Sequence, residues 1–241
     1  MRYKELITEE TIEVHSDDIN SMYAAAHTIL DQCKPFLNQV DEPLSLYRGM
    51  GNTAYNFVHK LIRTDGRRPK VMKPKLHDAI NKYFTEQFGE PFRDSLMCLG
   101  NPVRPQMFGK VHYVFPVGNF RFLWSPEIVD LNYSISRLHK LRLLPSTGNE
   151  PDRDIADRNN QIRQDHEQGV GMAQALSEAK YQNTDLQAAI NSGSNSDKSG
   201  YSNASDTGDH EIMIRGASFY AVSVDYAQST GFDKILNKVL Q

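Results

Sequence analysis

The stretch DHEIMIRGASFYAVSVD, residues 209–225, alternates side-chain character with period two on either side of Gly216. Successive side chains on a strand point to opposite faces, so Phe219, Ala221 and Ser223 share one face and Tyr220, Val222 and Val224 the other. A second run of this kind, KVHYVFPVGNFRFLWS over 110–125, is interrupted at Gly118-Asn119. These runs exclude an all-helical chain. They predict two hairpins, turning at Gly216 and at Gly118-Asn119, and largely antiparallel pairing.

Helical spacing appears elsewhere. Ile19, Met22, Tyr23, Ala26, Leu30 and Cys33 predict a helix over 17–40, capped by Ser16 or Asp17 and limited by Pro35. Leu76, Ile80, Tyr83, Phe84 and Phe88 form the stripe of a helix over 75–88 that Gly89 stops. TAYNFVHKLIR (53–63) reads as a further amphipathic helix, PLSLYRGM (43–50) as a short strand, and FRDSLMCLGN (92–101) as a strand entering a turn. Short helices are expected over 130–142, around VGMAQALSEAKY and over 231–240. The class is α+β. The expected organisation is a single domain over 1–241, with an N-terminal helical segment 1–42 and a polar, partly flexible insertion over 149–208. The Ser/Asn/Gly/Asp-rich part of that insertion, 191–208, has the composition of a mobile loop.

Charge and cysteine content narrow the function classes. The net charge of −3 provides no global field for nucleic acid or an anionic membrane. Two cysteines are too few for a secreted disulfide framework, which favours a reducing cytosol. The charged N-terminus, MRYKELITEETIEVHSDD, has no apolar signal segment, and no window approaches a membrane span. A soluble cytoplasmic protein without membrane partners is expected. The histidines are scattered and no CxxC or HxxxH spacing occurs, so no metal site is expected. Neither a GxSxG elbow nor a phosphate-binding glycine loop is present.

Two polar residues stand out. Arg48 shares a strand face with Leu44 and Leu46 and should point partly inward, where an unpaired charge is costly. Its partner is either a carboxylate, with Glu211 a candidate, or a phosphate that its planar fork matches. Glu211 stands at the mouth of an apolar strand, two positions after Asp209 and so on the same face. That pair is either a solvated edge or a functional one. The basic stretch with Arg63, Arg67, Arg68, Lys70, Lys73 and Lys75 is either a solvated loop or an aid to phosphate or RNA attraction. Cys98 reads as a buried small hydrophobe, Phe122 and Trp124 as core, and His210 as facing outward.

In this order the pieces resemble the ADP-ribosyltransferase fold, in the Arg–Ser–Glu branch found in bacterial toxins and bacteriophage-encoded transferases. LYRG resembles the arginine at the end of that family's first core strand. SLMCLGNPVRPQMFG stands where a Ser-Thr-Ser strand and a short helix ending in an aromatic, here Phe108, are expected. DHEIMIRGASFYAVSV resembles the acid-x-Glu that enters an aliphatic strand after a mobile loop. The resemblance spans about residues 43–225. Met97-Cys98-Leu99 departs from Ser-Thr-Ser, which leaves Ser95 and Cys98 as the hydroxyl or thiol candidates, and Asp209 is a methylene shorter than the usual acid.

The resemblance implies a split antiparallel β-sheet core with flanking helices and an N-terminal helix. It also implies a mono-ADP-ribosyltransferase that uses NAD as substrate and modifies a host macromolecule, a protein or alternatively an RNA. Glu211 would hold the nicotinamide-ribose 2′-OH and stabilise the developing oxocarbenium charge. Asp209 would orient or deprotonate the acceptor, Arg48 with Gly49 would grip the pyrophosphate, and Ser95 or Cys98 would brace Glu211. A phage-encoded member would act in the host cytoplasm or be packaged in the virion. The alternative is a phage structural or interaction protein that keeps the fold without turning over NAD. The transferase reading requires Arg48 and Glu211 to line one cleft.

Overall fold

The computed structural model describes residues 18–51, 56–66, 72–131, 171–192 and 210–240, together with 160, 161, 164 and 169. Helix α1 (Ile19–Gln32) starts at Asp18, whose carboxylate accepts from the Asn20 N–H at 3.0 Å, so the cap lies after the residues expected for it. Pro35 breaks the predicted long helix, and a separate turn, α2 (Lys34–Leu37), follows. Helix α3 (Pro74–Phe88) has Pro at its first position and Gly89 as a left-handed C-cap at φ 79°, close to expectation. Further on lie α4 (Met172–Glu178), α5 (Leu186–Asn191), α6 (Val224–Thr230) and α7 (Phe232–Leu240). Among the described residues no helix is long and apolar enough to cross a membrane.

Among the described residues seven strands form two antiparallel sheets. They are β1 (Tyr47–Met50), β2 (Phe57–Leu61), β3 (Leu96–Cys98), β4 (Lys110–Pro116), β5 (Arg121–Leu123), β6 (Ile212–Arg215) and β7 (Ser218–Ser223). The first sheet has the order β1-β4-β7-β2 and the second β3-β6-β5. Among the described residues one bridge, Tyr47 to Leu99, joins them before β1 and β3 part.

Three expectations are corrected here. The stretch expected as a helix over 53–63 is strand β2, because its register against β7 buries Phe57 and Val58 in the core. An amphipathic pattern over so short a run fits either period, and tertiary pairing decides. Neither predicted hairpin forms. Gly118-Asn119 and Gly216-Ala217 each carry the chain from one sheet to the other: β4 and β7 lie in the first sheet, β5 and β6 in the second. The expected strand over 92–101 is β3 preceded by a 3-10 turn, Phe92–Asp94. The expected helix over 130–142 and the polar loop over 193–208 lie outside the described residues, apart from Asp130 and Leu131.

The layers follow from register, since residues paired across a ladder project to the same side. On the first sheet Phe115 meets Phe36, Phe57 meets Phe232, and Tyr220 donates to Gln32 Oε1, so α1, α2 and α7 cover that face. Val58, Val114 and Ala221 occupy the other face. They pack in one core with Leu96, Cys98, Ile212, Ile214 and Phe122 from the inner face of the second sheet. The outer face of the second sheet, with Met97, Met213 and Leu123, forms a second core with Leu76, Ile80 and Phe84 of α3 and Met172 and Leu176 of α4. The order is helices, sheet, sheet, helices.

Candidate ligand cleft between the sheets

Where β1 leaves β3, the split between the sheets opens as a cavity of about 490 Å³. Arg48, Gly49 and Met50 line it from β1, Asp94, Ser95 and Leu96 from the start of β3, Lys60 to Arg63 from the end of β2, and Phe219 from β7. The Arg48 guanidinium reaches across the split from β1 to β3. Its Nη1 donates at 2.8 Å to the Met97 carbonyl, which β1 no longer reaches as a ladder partner. Burial lowers the pKa of Arg48 from its ordinary value, yet a guanidinium stays charged. Among the described residues no carboxylate forms an ion pair with it. A half-buried cation of this kind favours an anionic ligand.

Gly49 is required by packing. A Cβ at this position would come within 1.9 Å of the Pro105 carbonyl oxygen, because the 3-10 helix Arg104–Phe108 lies directly on β1. That helix ends in Phe108, which is 62% exposed and stands at the rim of the cleft, with the equally exposed Leu61 also in its lining. Lys60 and Arg63 add positive charge. With Arg48 they bring three cations and one carboxylate, Asp94, to the lining.

The expected partner, Glu211, is elsewhere. It immediately precedes β6, where Ile212 pairs with Cys98 and faces inward, so alternation turns Glu211 outward on the side of Met97 and Met213. There its Oε2 accepts from Arg93 Nη1 at 2.7 Å, with side-chain exposures of 20% and 9%. Arg93 also approaches the Met97 sulfur at 3.8 Å, on the same outer face. Tyr181 lies beside this pair. Burial, reinforced by the Glu211 carboxylate, pushes its phenol well above the ordinary value. Arg48 and Glu211 therefore occupy opposite faces of the second sheet. The expectation that they share one cleft is corrected, and with it the ion pair considered between them.

The other expected site residues divide. Ser95 lines the cleft with Arg48 and Gly49. Cys98 lies beneath, 1% exposed, and burial pushes its thiol up to about 12, in keeping with a buried small side chain. Asp209 lies outside the described residues, as do Arg67, Arg68 and Lys70. His210 does not face freely outward: its Nδ1 is 3.1 Å from the Ile128 carbonyl and its ring meets Trp124 edge-on. Among the described residues no cluster of side chains could hold a metal ion.

Sequence reasoning missed Arg93, Asp94, His77 and Lys60. The signal for the first two was present in FRDSLMC, an arginine and an acid at the mouth of an apolar strand. This is the same cue that singled out Glu211. No family model matches the chain, and neither does any curated protein or solved structure.

Proposed function

We propose that this chain is a domain of ADP-ribosyltransferase-like architecture that binds NAD in the cleft between its sheets, without turning it over through Glu211. The observation that carries the reading is that Arg48, Gly49 and Ser95 line one cationic cleft. Its volume, about 490 Å³, lies in the ordinary range for small-ligand sites. In this reading Arg48 grips a pyrophosphate oxygen pair, and Lys60 and Arg63 strengthen the field at the phosphates. Exposed Phe108 and Leu61 offer apolar surface to a base. The outward position of Glu211 and its pairing with Arg93 favour the binding reading over transfer.

Titration calorimetry with NAD tests it. The protein binds NAD, and Arg48→Gln weakens binding at least tenfold, the scale of one charge-assisted hydrogen bond. Absence of binding, or binding indifferent to Arg48, refutes the reading.

A second reading keeps the transferase. It is favoured by the place of Glu211 at a strand mouth, still 20% exposed, beside Arg93 and Tyr181. Incubating the protein with adenylate-labelled NAD in a host lysate separates the two. Labelled protein or RNA that disappears in Glu211→Gln establishes transfer. Neither label nor free nicotinamide leaves binding alone.

A further inference from the structure

Among the described residues one carboxylate lines the cleft, and a buried histidine lies against it. Asp94 closes the 3-10 turn Phe92–Asp94, its N–H donating to the Pro91 carbonyl at 3.0 Å. Although it lines the cleft, Asp94 is only 7% exposed. Behind it, His77 of α3 is 1% exposed, and its Nε2 lies 3.4 Å from Asp94 Oδ1. The other ring nitrogen is 3.6 Å from the carboxylate of Asp78, an exposed residue on the same helix. Neither buried ring nitrogen makes a hydrogen bond, so the imidazole confines the inner acid by packing against it rather than by a bond. Burying a carboxylate and a histidine costs more than an apolar pair in the same space.

We propose that Asp94, positioned by His77, is the sugar-reading group of this cleft: it accepts hydrogen bonds from the vicinal hydroxyls of a ribose whose phosphate is held by Arg48. The chemistry is complementary along the cleft. Arg48, Lys60 and Arg63 supply donors and positive charge for phosphate, whereas Asp94 supplies acceptors only, which suits a diol and repels a phosphate. The ligand class is therefore a ribonucleotide or ADP-ribose moiety rather than free phosphate or a deoxynucleotide. Among the described residues that line the cleft, Asp94 is the one carboxylate. This rests on the reading of the cleft as a phosphate-binding site, and the test separates the two.

Binding of AMP and of 2′,3′-dideoxy-AMP to the full chain is measured by titration calorimetry, for the wild type, Asp94→Asn, His77→Gln and Arg48→Gln. The wild type prefers AMP by about tenfold, the worth of a hydrogen bond to a charged group. Asp94→Asn reduces this preference to about twofold, and the dideoxy compound, relieved of the carboxylate's repulsion of its phosphate, binds no more weakly. His77→Gln lowers the preference part-way without weakening the dideoxy compound, as a positioning residue should. Arg48→Gln weakens both ligands alike. If the wild type binds both equally, the inference about Asp94 fails while the phosphate reading stands, and that comparison requires no variant to fold. If the wild type binds neither, both readings fail.

Discussion

Replacing Glu211 tests whether this residue works for the fold or for chemistry. Its Oε2 accepts from Arg93 Nη1 at 2.7 Å, and the Arg93 side chain is only 9% exposed. Removing one member of a buried pair strands the other and costs about 3–5 kcal/mol where both are fully buried. Glu211 keeps 20% of its side chain in solvent, so Glu211→Leu belongs near the lower end, about 3 kcal/mol. In Glu211→Gln the amide oxygen still accepts from Arg93, and only the charge is lost, for about 1–2 kcal/mol. For a chain of this size each kcal/mol moves Tm by about 2–4 °C, which gives roughly 6–12 °C for Leu and 2–8 °C for Gln. Thermal unfolding followed by circular dichroism reads both. Adding Arg93→Met to Glu211→Leu should recover much of the loss, because the stranded guanidinium is gone. In the binding reading, affinity for NAD stays unchanged throughout. A Glu211→Leu variant that melts within about 1 °C of wild type would refute the buried pair and return Glu211 to the transferase reading.

Three further outcomes follow from the packing and from the buried thiols. Gly49→Ala drives a Cβ against the Pro105 carbonyl, so the 3-10 helix must shift; a loss of about 1–3 kcal/mol in urea unfolding is expected, together with weaker cleft binding. Gly89→Ala forces alanine into the left-handed cap at φ 79°, and the unfolding free energy should fall by about 1 kcal/mol with no change in ligand affinity. Burial pushes the thiols of Cys33 and Cys98 up to about 12 in the fold, above their ordinary 9.0. The native state then binds more protons than the unfolded chain between these values. Its stability is fully present below pH 9 and declines as pH rises towards 12. Cys33→Ala with Cys98→Ala should flatten that decline, and neither thiol of the native protein should react with an aromatic disulfide reagent at pH 8.

Much of the fold was legible in the chain because its cues are local. The stripe from Leu76 to Phe88, with Gly89 after it, predicted α3, and the alternation of 110–116 and 218–223 predicted β4 and β7. Pro35 marked the break after α1. The errors arose where two local readings were equally good. FVHKL suits a helix face or a strand, and only the ladder against β7 chose between them. A glycine between two strands suits a hairpin or a crossover, and Gly216 and Gly118 proved to be crossovers because each flanking strand found a longer-range partner. The candidate site was half legible. Arg48, Gly49 and Ser95 were singled out and line the cleft, but the facing of Glu211 depends on a register that pairs residues 98 and 212.

By itself the sequence determined the class of the fold, the placement of most of its strands and helices, and the choice of Arg48 as an inward cation. These depend on the period of apolar side chains and on the backbone limits of Gly and Pro, which are properties of neighbouring residues. The tertiary structure alone decided that β3 lies between β1 and β6, that Arg48 opens into the split between the sheets, and that Glu211 turns away to Arg93. The physical reason is parity. One step of strand register moves a side chain from one face of a sheet to the other, and register is set by the burial of both faces at once rather than by any local stretch of chain.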